Sequence, residues 1–175
     1  PDYYCQTTDQ SLKDTESFIK YVAELGDPRV TAVVTPRFVP SCSSPLMKGL
    51  GKLSNTYSLP VQSHLSETTA ECDWVKSLHP ESSCYADVYK SHGLLCDSSQ
   101  SELFHDNSSE QPQSVPKTTA ESATASSRPR HHKSYMAHCC YSGTLERGIL
   151  SDSSVGVIHC PNSNFSIGSG VLDVR

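Results

Sequence analysis

His64 and Glu67 are the pair in this sequence whose types and spacing come closest to chemistry. A neutral imidazole can hold Zn²⁺, and a carboxylate nearby can move protons to and from a water on the metal. Arg37, His138 and His159 join them, because each of the four basic side chains stands at the end of a short apolar run: Val30–Val34, Leu59–Ser63, Tyr135–Cys140 and Val155–Cys160. In parallel βα units functional groups gather where strands end, since the loops there vary freely while the strands hold them rigidly. Taken one at a time these residues leave the matter open. A lone histidine is more often structural than a ligand, and Arg37 serves equally as a salt-bridge partner or as a donor to a substrate carbonyl. His79, His92 and His105 lie beside loops and read as solvated.

The elements that must position these groups alternate between strand and helix. Leu12, Phe18, Ile19, Val22 and Leu25 keep helical spacing over Ser11–Leu25, and Gly26 and Pro28 supply the stop. Ser44-Pro45 opens a second helix, Thr69 a third with Val75 and Leu78, Tyr85–Tyr89 adds a turn closed by Gly93, and Leu145–Leu150 reads as a short helix. The stretch 97–134 breaks the rhythm with Ser, Thr, Gln, Pro and Glu and is expected to be a disordered low-complexity insertion. That divides the chain into 1–96, 97–134 and 135–175. With the insertion set aside, the intervals suit one βα unit each, and a (β/α) barrel and a doubly wound sheet both satisfy the pattern.

Composition narrows the function classes. The 14 Lys+Arg against 19 Asp+Glu give a net charge of -5, and no basic stripe invites nucleic acid. No apolar run reaches the roughly 18 residues of a membrane span, and Pro1-Asp2-Tyr3-Tyr4-Cys5 does not open a secretory leader, so a soluble cytoplasmic protein is expected. The eight cysteines contain no Cys-x-x-Cys pair, which suits reduced thiols and excludes a zinc finger by spacing. The His-x-Glu and Pro-Cys-x-x-Cys signatures of cytidine-deaminase-type zinc enzymes are absent.

Four segments in order carry a resemblance: Val34-Thr35-Pro36-Arg37-Phe38, Gln62-Ser63-His64-Leu65-Ser66-Glu67, Met136-Ala137-His138-Cys139-Cys140-Tyr141 and His159-Cys160-Pro161-Asn162-Ser163-Asn164. Together they resemble guanine deaminases of the amidohydrolase superfamily, and Pro1–Leu25 resembles the helix ahead of the first segment. The resemblance implies an α/β fold, part of a metal-bearing (β/α)₈ barrel covering about strands four to seven. It also implies a zinc-dependent hydrolysis of guanine to xanthine and ammonia, with guanine and water as partners, and a cytoplasmic enzyme that is a homodimer at full length. Neither nucleic acid nor membrane is implied.

Residue by residue, the resemblance makes His64 the zinc ligand and Glu67 the carboxylate that shuttles protons. His138 stands near the attacking water in a catalytic role, Arg37 donates to the purine carbonyl, and Phe38 lies beside the ring. It places the run His64, Leu65, Ser66 and Glu67 against the substrate, and gives His159 and Asn162 a structural part in their loop. The family also uses a His-x-His pair and an Asp that no segment here matches. An incomplete chain, inactive by itself, is therefore expected, and a first residue other than Met agrees. Two further readings stay open: a related hydrolase acting on another heterocycle, against which Arg37-Phe38 speaks, and a non-catalytic binding protein.

Overall fold

A computed structural model of the chain describes residues 5–95 and 134–174. The first helical pattern becomes α1 (Thr8–Leu25), which begins about a turn earlier than its apolar spacing because Thr7 caps it, its hydroxyl accepting from the Gln10 N–H at 3.2 Å. It ends at Gly26, whose φ of 62° is the left-handed conformation that a glycine adopts freely. α2 (Ser44–Tyr57) starts in the same way, with Ser43 as cap and Pro45 in its first turn. Gly51 of α2 sits against the backbone after α4 (Tyr85–Ser91), and a Cβ there would meet the His92 carbonyl. Between α2 and α4 lie β1 (Val61–Leu65) and α3 (Thr69–Leu78).

The second described stretch supplies β2 (Ser134–His138), α5 (Thr144–Asp152), β3 (Gly156–Ile158) and α6 (Pro161–Ile167). The strands form one parallel three-stranded sheet in the order β1-β2-β3, with Leu65 opposite His138 and Ala137 opposite Ile158. Parallel strands need a crossover, and α5 provides the one between β2 and β3. Successive side chains alternate between faces. Val61, Leu65 and Met136 therefore enter a core with Met47, Leu50, Val75, Val88 and Tyr89, from α2, α3 and α4.

The sheet departs from the expected four strands. Val30–Val34 contributes only a parallel bridge at Val34, whose N–H donates to Pro60 O (2.9 Å) and whose carbonyl accepts from Gln62 N–H (3.0 Å). The next donor in that ladder would be Pro36, which has no N–H, so the ladder fails there. Ser134, counted with the insertion on composition, is instead the buried first residue of β2, its hydroxyl donating to Leu94 O at 2.9 Å. The rest of the expected insertion, 97–133 with His105, is outside the described residues. His79 and His92 are not solvated: each is 9 % exposed, and their rings meet edge to face with centroids 5.9 Å apart. Helix α6 carries no clear apolar periodicity and was not expected. Among the described residues no helix is long and apolar enough to cross a membrane.

Candidate active site

β1 delivers His64 to the face opposite the packed core, where it is half-buried. Its Nδ1 lies 2.6 Å from the Arg37 carbonyl. A carbonyl only accepts, so Nδ1 carries the proton and Nε2 keeps a free lone pair. The Arg37 carbonyl also accepts from the His64 N–H at 3.3 Å, and Ser63 Oγ lies 3.2 Å away. From the helical layer the Tyr89 hydroxyl reaches to 2.7 Å from Ser63 Oγ and 2.8 Å from His64 O. The imidazole is thus held by a network that starts in the buried layer on α4 and ends at the exposed Arg37.

His138 needs a different device. With Leu65 as its register partner, ordinary alternation would send it toward the core face. Its φ is instead 73°, followed by Cys139 at 52°, and the rotation swings Cβ across the strand. The ring then stacks on that of His64, with centroids 5.2 Å apart and planes 16° off parallel. Two consecutive non-glycine residues in left-handed backbone are costly, and such strain persists where the surroundings over-determine it. Here Asn164 of α6 does so: its Oδ1 lies 2.6 Å from His138 Nδ1 and its Nδ2 donates to Cys140 Sγ at 3.1 Å. Glu67 Oε1 lies 3.4 Å from the same Nδ1, in a pair whose side chains are 5 % exposed for His138 and 17 % for Glu67.

The expected site residues therefore separate into two groups. His64, Glu67 and His138 converge, and Arg37 stands beside them through its carbonyl, with its guanidinium 5.3 Å from the Phe38 ring centroid in a cation–π contact. Leu65 and Ser66 do not present side chains there. Leu65 is fully buried in the core, and the Ser66 hydroxyl donates to Glu146 Oε2 at 2.7 Å. His159 follows β3 at the same strand edge but is exposed, as is Asn162. The residue of that motif that reaches the site is Asn164, 1 % exposed, which sequence reasoning passed over in favour of Asn162. An asparagine two residues further along a Pro-initiated segment faces another direction only once a helix is recognised there.

The donor chemistry fits zinc as far as this chain supplies it. Each imidazole has Nδ1 against an oxygen acceptor, the arrangement that fixes the tautomer and orients metal-binding histidines. Among the described residues no group of three or more His, Cys, Asp or Glu could hold a metal. A protein zinc site uses at least three ligands, so His64 would be one contributor to a shared set. Burial pushes the nearby Cys139 thiol up to about 12, and burial followed by the Glu67 carboxylate raises Cys140.

Comparison with known proteins gives the family. Residues 5–175 match the amidohydrolase family. A guanine deaminase of Dictyostelium discoideum is 36% identical over 175 residues, which is 100% of this chain and 31% of the relative. The crystal structure of a C. acetobutylicum guanine deaminase with bound guanine superposes with a TM-score of 0.78 at 38% identity, over 100% of this chain and 33% of that one. A zinc-bound adenosine deaminase from Xanthomonas campestris shares the fold at 16% identity and a TM-score of 0.65, over 93% of this chain and 28% of that one. The chain spans about a third of the length of the curated relatives it matches.

Proposed function

Because the chain belongs to the amidohydrolase family, we propose that it is part of a zinc hydrolase that deaminates guanine to xanthine and ammonia. The observation that carries this is the convergence of His64, Glu67 and His138 at the ends of two adjacent parallel strands, the imidazoles oriented through Nδ1 and the carboxylate 3.4 Å from one of them. The names of the relatives direct the reading to guanine. The corresponding barrel would place β1 and β2 as its fifth and sixth strands, the Val34 bridge on its fourth and β3 on its seventh.

When bound, zinc would acidify a water so that it attacks at neutral pH, with His64 Nε2 as one ligand. The chain's own residues account for the rest. Adding water at guanine C2 sends one water proton to the adjacent ring nitrogen, and breaking the bond to the 2-amino group sends the remaining hydroxyl proton to that amine, which leaves as ammonia as the C2 carbonyl forms. Glu67, partly covered and 3.4 Å from His138 Nδ1, can take the first proton from the water to the ring and the second from the hydroxyl to the leaving amine. His138, fixed by Asn164, orients the attacking water or the base. Arg37 donates to the purine carbonyl, an interaction a guanidinium makes in a fixed direction, and Phe38 offers a face to the ring. Release of ammonia completes the balance.

The test uses the full-length protein. Purified with zinc, it is expected to convert guanine to xanthine with one ammonia released per turnover, and His64→Ala is expected to lose both metal and activity. A zinc-loaded parent that leaves guanine intact, or a His64→Ala variant with parental zinc content and turnover, would overturn the reading.

A further inference from the structure

We propose that Glu146, on the outer helix α5, is a positioning residue for Glu67 and acts through Ser66; the inference rests on the guanine-deaminating reading of Glu67. Glu146 is 4 % exposed, and both of its carboxylate oxygens are engaged. Oε2 accepts from Ser66 Oγ at 2.7 Å and Oε1 accepts from the Ala86 N–H at 2.9 Å. One buried side chain thus joins α5, the first turn of α4 and the residue that separates the end of β1 from Glu67. A carboxylate is costly to bury, and hydrogen bonds to a charged acceptor are the strong ones, so this contact is a firm constraint on Ser66.

Ser66 is where a constraint is needed. Its φ is 48°, a left-handed conformation that a serine does not keep without help. That conformation turns the chain off the strand and sets the direction from which the Glu67 side chain departs toward His138. The Ser66 carbonyl is held as well, accepting from the Tyr141 N–H at 3.1 Å in the turn after β2. A cleft of about 270 Å³, partly open to solvent, borders Ser66, Cys72, Tyr85 and Glu146. A carboxylate at 146 therefore adds an acceptor aimed at the turn, which an apolar side chain filling the same gap would not.

Three variants of the full-length protein test this: Glu146→Ala, Ser66→Ala and Glu146→Gln. The readouts are kcat and KM for guanine per zinc-loaded molecule, zinc content, and amide exchange at Glu67 and Tyr141. Glu146→Ala and Ser66→Ala are expected to lower kcat on the order of ten- to a hundredfold, the effect of misplacing a reacting group by a fraction of an ångström or more, while KM and zinc content hold and amide exchange quickens. Glu146→Gln is expected to recover most of the rate, because its amide can still accept from Ala86 and meet the Ser66 hydroxyl. Should Glu146→Ala fail to fold, Ser66→Ala decides. Parental kcat in Ser66→Ala, or a glutamine variant no better than the alanine one, would overturn the proposal. A parent without guanine turnover would instead remove the functional reading, and unchanged amide exchange in Ser66→Ala would then separately dismiss the clamp.

Discussion

On the outer face of the sheet, Val61, Leu65 and Met136 are at most 2 % exposed beneath α2, α3 and α4, whereas on the inner face Gln62 is open to solvent and His64 only half covered. Apolar side chains fill the first face, and the groups with chemistry stand on the second. The contrast teaches that stability and reactivity are carried by alternate residues of the same strands, separated by little more than the thickness of the backbone. Two links cross between them, Tyr89 through Ser63 to His64 and Glu146 to Ser66. The first uses hydroxyls and backbone carbonyls, which can be buried without carrying charge into the core, whereas the second buries the Glu146 carboxylate against a hydroxyl.

If the division holds, variants on the two faces should separate stability from turnover. Met136→Ala should have the largest effect, lowering unfolding free energy by about 2–5 kcal/mol in a denaturant titration, since a fully buried side chain leaves a cavity. Its turnover per folded molecule should be close to parental, and a loss beyond about tenfold would mean that the outer face reaches the chemistry. Glu67→Gln should do the reverse. Turnover should fall by about 10² or more with zinc content kept, and stability should change by roughly 0.5 kcal/mol or less. Parental turnover in that variant would end the proton-shuttle role.

Arg37→Ala sharpens the comparison within the inner face. Guanine binding should weaken about tenfold, read as a rise in KM with zinc unchanged, since the guanidinium addresses the substrate and not the metal. The smallest effect belongs to the outer layer in alkali. Burial raises Cys139 from 9.0 to about 12 and pushes the Tyr85 and Tyr89 hydroxyls above the usual 10.0, so the folded state holds protons that the unfolded chain releases first. Their contribution is intact below pH 9 and declines as pH rises through the folded values. For Cys139 alone the loss is on the order of 1 kcal/mol at pH 10. A urea midpoint that did not fall between pH 8 and pH 10 would contradict the burial of these groups.

The strand-end positions of Arg37, His64, His138 and His159 were readable because apolar runs and their polar endings are local, and so were most helices, which depend on caps and 3.6-residue spacing. Val30–Val34 misled because its β-branched composition suits a strand while the obstacle, Pro36, lies beyond the run. His79 and His92 were read as solvated from their loop neighbours, whereas burial depends on what packs over them from elsewhere in the chain. Leu65 and Ser66 were grouped with His64 and Glu67 by adjacency, but alternation and a left-handed turn place their side chains on the other side.

By itself, then, the sequence determined the βα order, the residues that close each strand and the family resemblance they carry, all of which follow from short-range pattern. Tertiary structure alone decided that His138 turns against its alternation to stack on His64, that Asn164 holds it, and that Glu146 grips Ser66. Each of these contacts joins residues at least 26 positions apart, and neither partner has a local pattern that names the other. A left-handed φ at a histidine or serine is unfavourable in isolation, so it exists only where those distant partners hold it, and no reading of neighbours along the chain could have found it.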